Sequence, residues 1–228
     1  MKLQEKSFEI RIAIDDKCAL NGYLTNFGFS ALIYNHTTQN LILFDTGSNG
    51  NILVHNLSKF SVQIKEIKKV ILSHDHFDHT GGLSVILKHN PDTEVYIPHN
   101  DLMQLKRVFP EARIHGIDEM TMIEENVFSS GQLGSHFTEQ CLFLKTLDGG
   151  VLLLVGCTHP GLENFILKAR EIGKIKAIIG GFHGFNKFTF LEGVDFIGAC
   201  HCTAHVNSIQ KMFPDQFKRI CVGSSFSF

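Results

Sequence analysis

Ser73-His74-Asp75-His76-Phe77-Asp78-His79-Thr80-Gly81-Gly82 follows directly on the apolar run Val70-Ile71-Leu72. It holds three histidines and an aspartate in the order H-x-H-x-D-H. Neutral imidazole and carboxylate are borderline-to-hard metal ligands, and this density of them is that of a metal site. A solvated, histidine-rich surface loop has no reason to follow a core strand at this spacing. The apolar run predicts a buried strand ending at Leu72, after which the chain must turn. In an extended segment alternate residues point the same way, so His74 and His76 share a direction. The next turn can aim Asp78 and His79 at a second point nearby. Thr80 is placed to cap a helix through Leu83, Val85, Ile86 and Leu87, and Gly81 and Gly82 allow a tight approach. One loop could therefore feed two metals.

Outward from this loop, strands and helices mix. Residues 8–14 alternate apolar and polar with the period of a half-buried strand. Residues 29–34 and 41–44 read as a hairpin across residues 36–40. Its second strand ends in Phe44-Asp45-Thr46-Gly47, where Asp45 either caps the next helix or orients a histidine of the metal loop. Residues 51–60 carry a weak helical pattern, and residues 68–72 form the strand that delivers the loop. Asn90-Pro91-Asp92 stops the helix ending near His89. A strand at 94–97 and a helix through Leu102, Leu105 and Phe109, closed by Pro110, come next. Residues 112–133 read as short strands and turns.

Residues 141–146 and 151–155 are two strands across Leu147-Asp148-Gly149-Gly150, with Asp-Gly as the hairpin signal. The second, V-L-L-L-V, has the continuous apolar character of a strand buried on both faces. It runs into Gly156-Cys157-Thr158-His159-Pro160-Gly161. Leu162, Phe165, Ile166, Ala169 and Ile172 then mark an amphipathic helix with Pro160 near its first turn. A strand at 175–179 enters Gly180-Gly181-Phe182-His183-Gly184, and one at 196–199 enters Cys200-His201-Cys202-Thr203. Val206, Ile209 and Phe213 suggest a helix, and residues 219–222 a last strand. There is no internal repeat or linker, so residues 1–228 are expected to form one domain. Several strands end in histidine-bearing loops, which places the site along one edge of a sheet.

The chain has 228 residues, 43% hydrophobic and 19% charged. That suffices for one substantial core. The net charge of −2 argues against a polyanion-binding surface, so nucleic acid is not an expected partner; a small-molecule substrate is. The opening residues MKLQEKSFEI lack the apolar core of a signal peptide, and no apolar run reaches bilayer length. A cytoplasmic protein without membrane association is the expectation, with oligomeric state left open. Twenty phenylalanines without a tryptophan point to an aromatic core. The six cysteines are scattered and are expected to be reduced, mostly buried thiols. Cys200-His201-Cys202 is C-x-C without a matching second pair, so a structural zinc knuckle is not expected.

Two metals need more ligands than one loop gives. His159, His183 and His201 each follow a core strand, and His159 and His201 are the choices because each also sits just before a helix. Either alone would more readily be a helix cap or a satisfied core histidine; the metal loop reverses that preference.

H-x-H-x-D-H followed by Thr80-Gly81-Gly82-Leu83 resembles the signature of the metallo-β-lactamase superfamily. G-C-T-H-P-G at 156–161, with G-G-F-H at 180–183 and H-C-T at 201–203, is similar to the subgroup named for 7,8-dihydropterin-6-methyl-4-(β-D-ribofuranosyl)-aminobenzene-5′-phosphate synthase. The resemblance spans residues 45–201. It implies an α/β chain of the α+β type, a four-layer αββα sandwich with the metal site at one edge of the sheets. It further implies His74, His76 and His159 on one metal and Asp78, His79 and His201 on the other. The ions would be two divalent metals, zinc first, with manganese, iron or magnesium open because N/O donors accept several.

The chain departs from the superfamily at the bridging position, where Gly156-Cys157 stands for Gly-Asp. Cys157 is not expected to serve as a bridging thiolate. Ala204 also follows H-C-T where the subgroup has glycine, and the stretch between His183 and His201 is short. A metal pair about 3.5–4 Å apart lowers the pKa of a shared water toward about 7. Asp78 is expected to hold a metal and the nucleophile together. His183 is a candidate to contact a substrate oxygen or to protonate the leaving group, or else a plain surface loop residue. The implied activity is that of a dinuclear metal-dependent hydrolase or transferase acting on a small phosphorylated or pterin-like substrate. A redox di-iron protein is disfavoured, since its oxygen-reducing relatives carry glutamate where His76 stands. A non-catalytic metal-binding scaffold has only the exchange of Asp for Cys in its favour.

Overall fold

Alternation along the strands sorts the apolar side chains into three layers of core in a computed structural model, which describes residues 6–228. Among the described residues thirteen strands form two sheets. In the first are β1 (Phe8–Ile14), β2 (Ser30–Asn35), β3 (Asn40–Phe44), β4 (Ile67–Ile71), β5 (Glu94–Pro98), β6 (Arg113–Ile117) and the C-terminal β13 (Ser225–Ser227), in the order β13-β1-β2-β3-β4-β5-β6. In the second are β7 (Thr121–Glu124), β8 (Val127–Ser129), β9 (Leu142–Lys145), β10 (Val151–Val155), β11 (Ile175–Gly181) and β12 (Phe196–Cys200), in the order β12-β11-β10-β9-β8-β7.

Between the sheets, Phe8, Ile10, Ile12, Ile33, Ile42 and Phe44 meet Leu142, Leu144, Leu152, Leu154 and Ile179. Leu32, Leu43, Val70 and Leu72 face the other way and are covered by Leu53 and Leu57 of α1 (Gly50–Lys59) and by Leu83 and Ile86 of α3 (Leu83–His89). On the far side, Val151, Leu153, Val155 and Ile178 pack on Leu162, Phe165, Ile166 and Ala169 of α5 (Leu162–Ile172) and on Ile209 of α6 (Val206–Met212). The result is the four-layer αββα sandwich. The V-L-L-L-V strand is wholly buried because it has an apolar layer on both faces. Each such side chain contributes about 1.5–3 kcal/mol of burial free energy.

Strands β3 to β6 run parallel, as do β10 to β12. Parallel strands put all their C-terminal ends on one edge, and ligands gather there. The loops after β3, β4, β10, β11 and β12 all converge on that edge, where α2 (Phe77–Thr80) also sits.

Three expectations are corrected. Thr80 does not cap the helix over residues 83–89: its hydroxyl donates to the His76 carbonyl and closes α2, while Gly82 takes the cap position without a side-chain bond. Residues 219–222 do not form a strand; only Val222 makes an isolated bridge to Ala19, and the last strand is β13. Cys18 and Cys221 are joined by a disulfide rather than reduced, because the Ala19–Val222 bridge brings their backbones to a Cα separation of 4.8 Å. Cys141, Cys157, Cys200 and Cys202 are free thiols. The largest fully buried side chains are Phe8, Phe29, Phe44, Phe143, Phe165 and Phe182, but Phe27, Phe77 and Phe137 are more than half exposed. Among the described residues no helix is long and apolar enough to cross a membrane.

Candidate metal centre

The loop after β4 is fixed from beneath by Asp45, at the end of β3. Asp45 is fully buried and receives the Ser73 backbone N–H (2.6 Å), the Ser73 hydroxyl (2.8 Å) and His79 Nδ1 (2.7 Å). Its role is therefore to orient a histidine. The Ser73 hydroxyl proton goes to Asp45, so Ser73 Oγ accepts the Nδ1–H of His74 at 2.8 Å. Asp78 and His79 lie in the first turn of α2, and the Thr46 N–H and hydroxyl both bond the His79 carbonyl, at 2.7 and 2.9 Å. The backbone of Phe29 donates to the Asp78 carbonyl. Gly28 must be glycine for that approach, since a Cβ there would run into the Asp78 carbonyl oxygen.

The second sheet supplies the other bank. The turn after β10 carries Cys157, Thr158 and His159, whose three backbone N–H groups all donate to the buried Glu139 carboxylate at 2.8–2.9 Å. Glu139 also holds His159 Nδ1 at 3.1 Å. Burial works against its charge, but these donors outweigh burial and keep Glu139 below the ordinary carboxylate range. The same bond raises His159. The turn after β12 carries His201 and Cys202. Thr203 clamps it: its hydroxyl bonds Cys200 O (2.7 Å) and accepts Phe182 N–H (2.9 Å), and Ala204 N–H reaches His183 O. Asp15 accepts the His201 backbone N–H, and Asp16 holds His201 Nδ1 at 3.1 Å.

A common pattern results. His74, His79, His159 and His201 each have Nδ1 engaged, which turns Nε2 inward; a carboxylate or hydroxyl on Nδ1 fixes the tautomer a metal requires. His76 faces the same space with Nδ1, 3.0 Å from His74 Nε2. Burial, reinforced by the neighbouring imidazoles, pushes His74 well below its usual value, so it stays neutral. Burial alone would lower His201, but Asp16 and Asp78 overcome it and raise that imidazole to about 10.

The donor atoms of His74, His76 and His159 lie within 4.8 Å of one another, and so do those of Asp78, His79 and His201. Cys157 stands between, its sulfur 3.2 Å from His79 Nε2. The set fits divalent metal. His201 Nε2 is buried without a hydrogen-bond partner, and although Asp78 Oδ2 is 3.3 Å away the pair lacks hydrogen-bond geometry. Without metal that nitrogen carries a proton toward Asp78, and a divalent cation would take the proton's place there.

All six residues expected as ligands thus converge on one place. His183 is not among the donor groups. It is exposed on the rim, with a left-handed backbone (φ 42°) and its ring 5.2 Å from that of His159. Glu139, Asp15, Asp16, Ser73 and Cys202 escaped the sequence reading. Asp15-Asp16 carried a usable signal, an acidic pair closing a strand, the same feature that singles out Asp45. Glu139 carried none: it lies in an irregular stretch with no periodicity.

The family model described as "Metallo-beta-lactamase superfamily" matches residues 25–161, a span that includes the metal loop and His159. The chain belongs to the metallo-beta-lactamase superfamily. Proteins of this superfamily's fold bind divalent metals, and the convergent His, Asp and Cys side chains are the candidate ligands here. Among superfamily relatives, 7,8-dihydropterin-6-methyl-4-(beta-D-ribofuranosyl)-aminobenzene-5′-phosphate synthase of Methanocaldococcus jannaschii is 26% identical, over 82% of this chain and 84% of its own length. An uncharacterized protein of the same organism is 25% identical, over 76% of this chain and 78% of its own length. The metallo-beta-lactamase fold protein YhfI of Bacillus subtilis superposes with a TM-score of 0.71 at 13% identity, covering 98% of this chain and 100% of that one. Human tRNase Z, short form, superposes with a TM-score of 0.59 at 13% identity, over 96% and 98% of the two chains.

Proposed function

We propose that this chain is a dinuclear metal-dependent enzyme, a hydrolase or transferase, acting on a small phosphorylated or pterin-like substrate. The observation that carries the reading is the pair of adjacent donor groups, His74/His76/His159 and Asp78/His79/His201, with the His74 and His79 rings 4.2 Å apart. Zinc is the first choice of metal. Divalent ions held there supply Lewis acidity and bring the pKa of bound water toward neutrality. The chain's own residues do the rest. Asp45, Glu139 and Asp16 hold three imidazoles in the ligating tautomer. Asp78, kept below the carboxylate range by His201 and His79 against the pull of burial, stays ionised and faces the reacting space.

A cavity of about 490 Å³ opens beside His159, lined by His136, Phe137, Asn164 and Lys168. Its cationic and aromatic walls suit a phosphate and a flat ring. His183 and His159 both line a second recess of about 240 Å³, and a leaving group seated there would find His183 as its proton donor. The similarity to the dihydropterin synthase supports the pterin alternative, and the net charge of −2 supports a small molecule over nucleic acid.

The test is metal content per chain, by elemental analysis, for wild type and Asp78→Ala, with phosphodiester, lactone and dihydropterin transfer assays on the same samples. About two metals, falling with activity in the variant, is the expected result. Less than one metal per chain, unchanged by the substitution, would overturn the proposal.

A further inference from the structure

Two free thiols face the centre and have no part in the six-ligand set. Cys157 is 4% exposed and Cys202 is partly buried. Their sulfurs and a ring nitrogen of His201 all lie within 4.8 Å of one another, as do Cys157 Sγ and the nitrogens of His74 and His79. The other free thiols differ: Cys141 and Cys200 are packed in the apolar layers. The fold makes room for Cys202. A Cβ on Gly181 would come within 2.7 Å of Cys202 Sγ and 2.5 Å of Gly156 O, so the second glycine of G-G-F-H leaves the space that the cysteine of H-C-T occupies. Thr203 pins the turn that carries Cys202, and Glu139 pins the turn that carries Cys157. Both sulfurs are thus held in place beside the unpartnered His201 Nε2.

We propose that Cys157 and Cys202 act as a thiolate pair which, with His201, makes one half of the centre a sulfur-bearing site selective for thiophilic divalent metal. This rests on the metal-centre reading above and departs from the expectation that Cys157 is a bystander. Each thiol gives its proton to solvent as its sulfur–metal bond forms, so one M²⁺ displaces two protons and no electron is transferred. Thiolate favours zinc, cadmium and cobalt(II) over magnesium and manganese, which prefer oxygen. A six-ligand set of imidazoles and one carboxylate also prefers zinc to manganese, but less strongly, and would give no sulfur signal.

Metal-free protein, with the Cys18–Cys221 bridge intact, is loaded with cobalt(II), and bound cobalt and near-ultraviolet absorption are read on one sample. A sulfur-to-cobalt charge-transfer band is expected in wild type, roughly halved in Cys157→Ser and in Cys202→Ser, and absent in the double variant. The preference for zinc over manganese falls on the order of tenfold in the double variant. Zinc-edge X-ray absorption of the wild type gives a reading that needs no variant: sulfur at about 2.3 Å is expected. Bound cobalt without the band, or a band that Cys202→Ser leaves unchanged, overturns the thiolate pair and leaves the metal centre standing. No bound cobalt overturns both.

Discussion

At the scale of the residue, each inward imidazole nitrogen depends on a proton held on the other ring nitrogen. Glu139→Gln is the sharpest probe. The amide NH₂ would meet the His159 backbone N–H and ring N–H with no lone pair to offer them. Metal affinity, measured by competition with a chelating dye, is expected to fall about 10–100-fold, the usual effect of losing such a partner. The pH dependence follows from His201. Its folded value is raised to about 10, so its ion pairs with Asp16 and Asp78 stabilise the metal-free fold fully below the ordinary histidine value and are lost as pH rises through about 10. Metal must displace that proton, so affinity rises with pH over the same interval. Calorimetry in two buffers of different ionisation enthalpy should register proton release at pH 7, reduced in Asp16→Asn. Backbone strain gathers at the same points: Asp45, Thr158, His183 and His201 all have left-handed φ, between 42° and 61°, at the ends of four strands. Held strain of this kind is common at functional sites.

At the scale of the element, period and punctuation made most strands and helices legible. The metal loop, His159 and His201 were legible because each follows an apolar run and precedes a helix. What was not legible depends on distant pairing. Thr80 loses its capping role because α2 closes before α3 (residues 83–89) begins, and the segment at 219–222 finds no strand partner while β13 pairs with β1. A smaller feature was also invisible. Asp101, at the start of α4 (Leu102–Val108), lines a cavity of about 260 Å³ with Asp75 and Phe77 of the metal loop. Burial, and then the Asp75 charge, raise Asp101 to about 6. Its ionisation therefore opposes folding: the cost is absent below the ordinary carboxylate value and complete once pH exceeds about 6. Asp101→Asn is expected to gain stability relative to wild type between pH 4 and pH 8, by about 1–2 kcal/mol after discounting for solvent screening. Denaturant melts at the two pH values check this; a constant difference would refute it.

At the scale of the whole molecule, the site belongs to neither sheet alone. His74, His76, Asp78 and His79 come from the end of β4, His159 from the end of β10 and His201 from the end of β12. Each half of the chain brings a part-set of donors, which is why the candidate ligands are spread over 128 positions, from 74 to 201 inclusive. The Cys18–Cys221 bridge ties residues 203 apart in sequence, and opening it is expected to cost about 2–5 kcal/mol in a melt of Cys18→Ser against oxidised wild type. Its position gives it a second consequence. Cys18 lies two residues beyond Asp16, whose carboxylate orients His201, and Asp15 in the same turn grips the His201 backbone. The covalent tie thus works as a tuning peg for a histidine it never touches. With the peg slackened by reductant, metal content per chain is expected to fall, which elemental analysis before and after reduction would show.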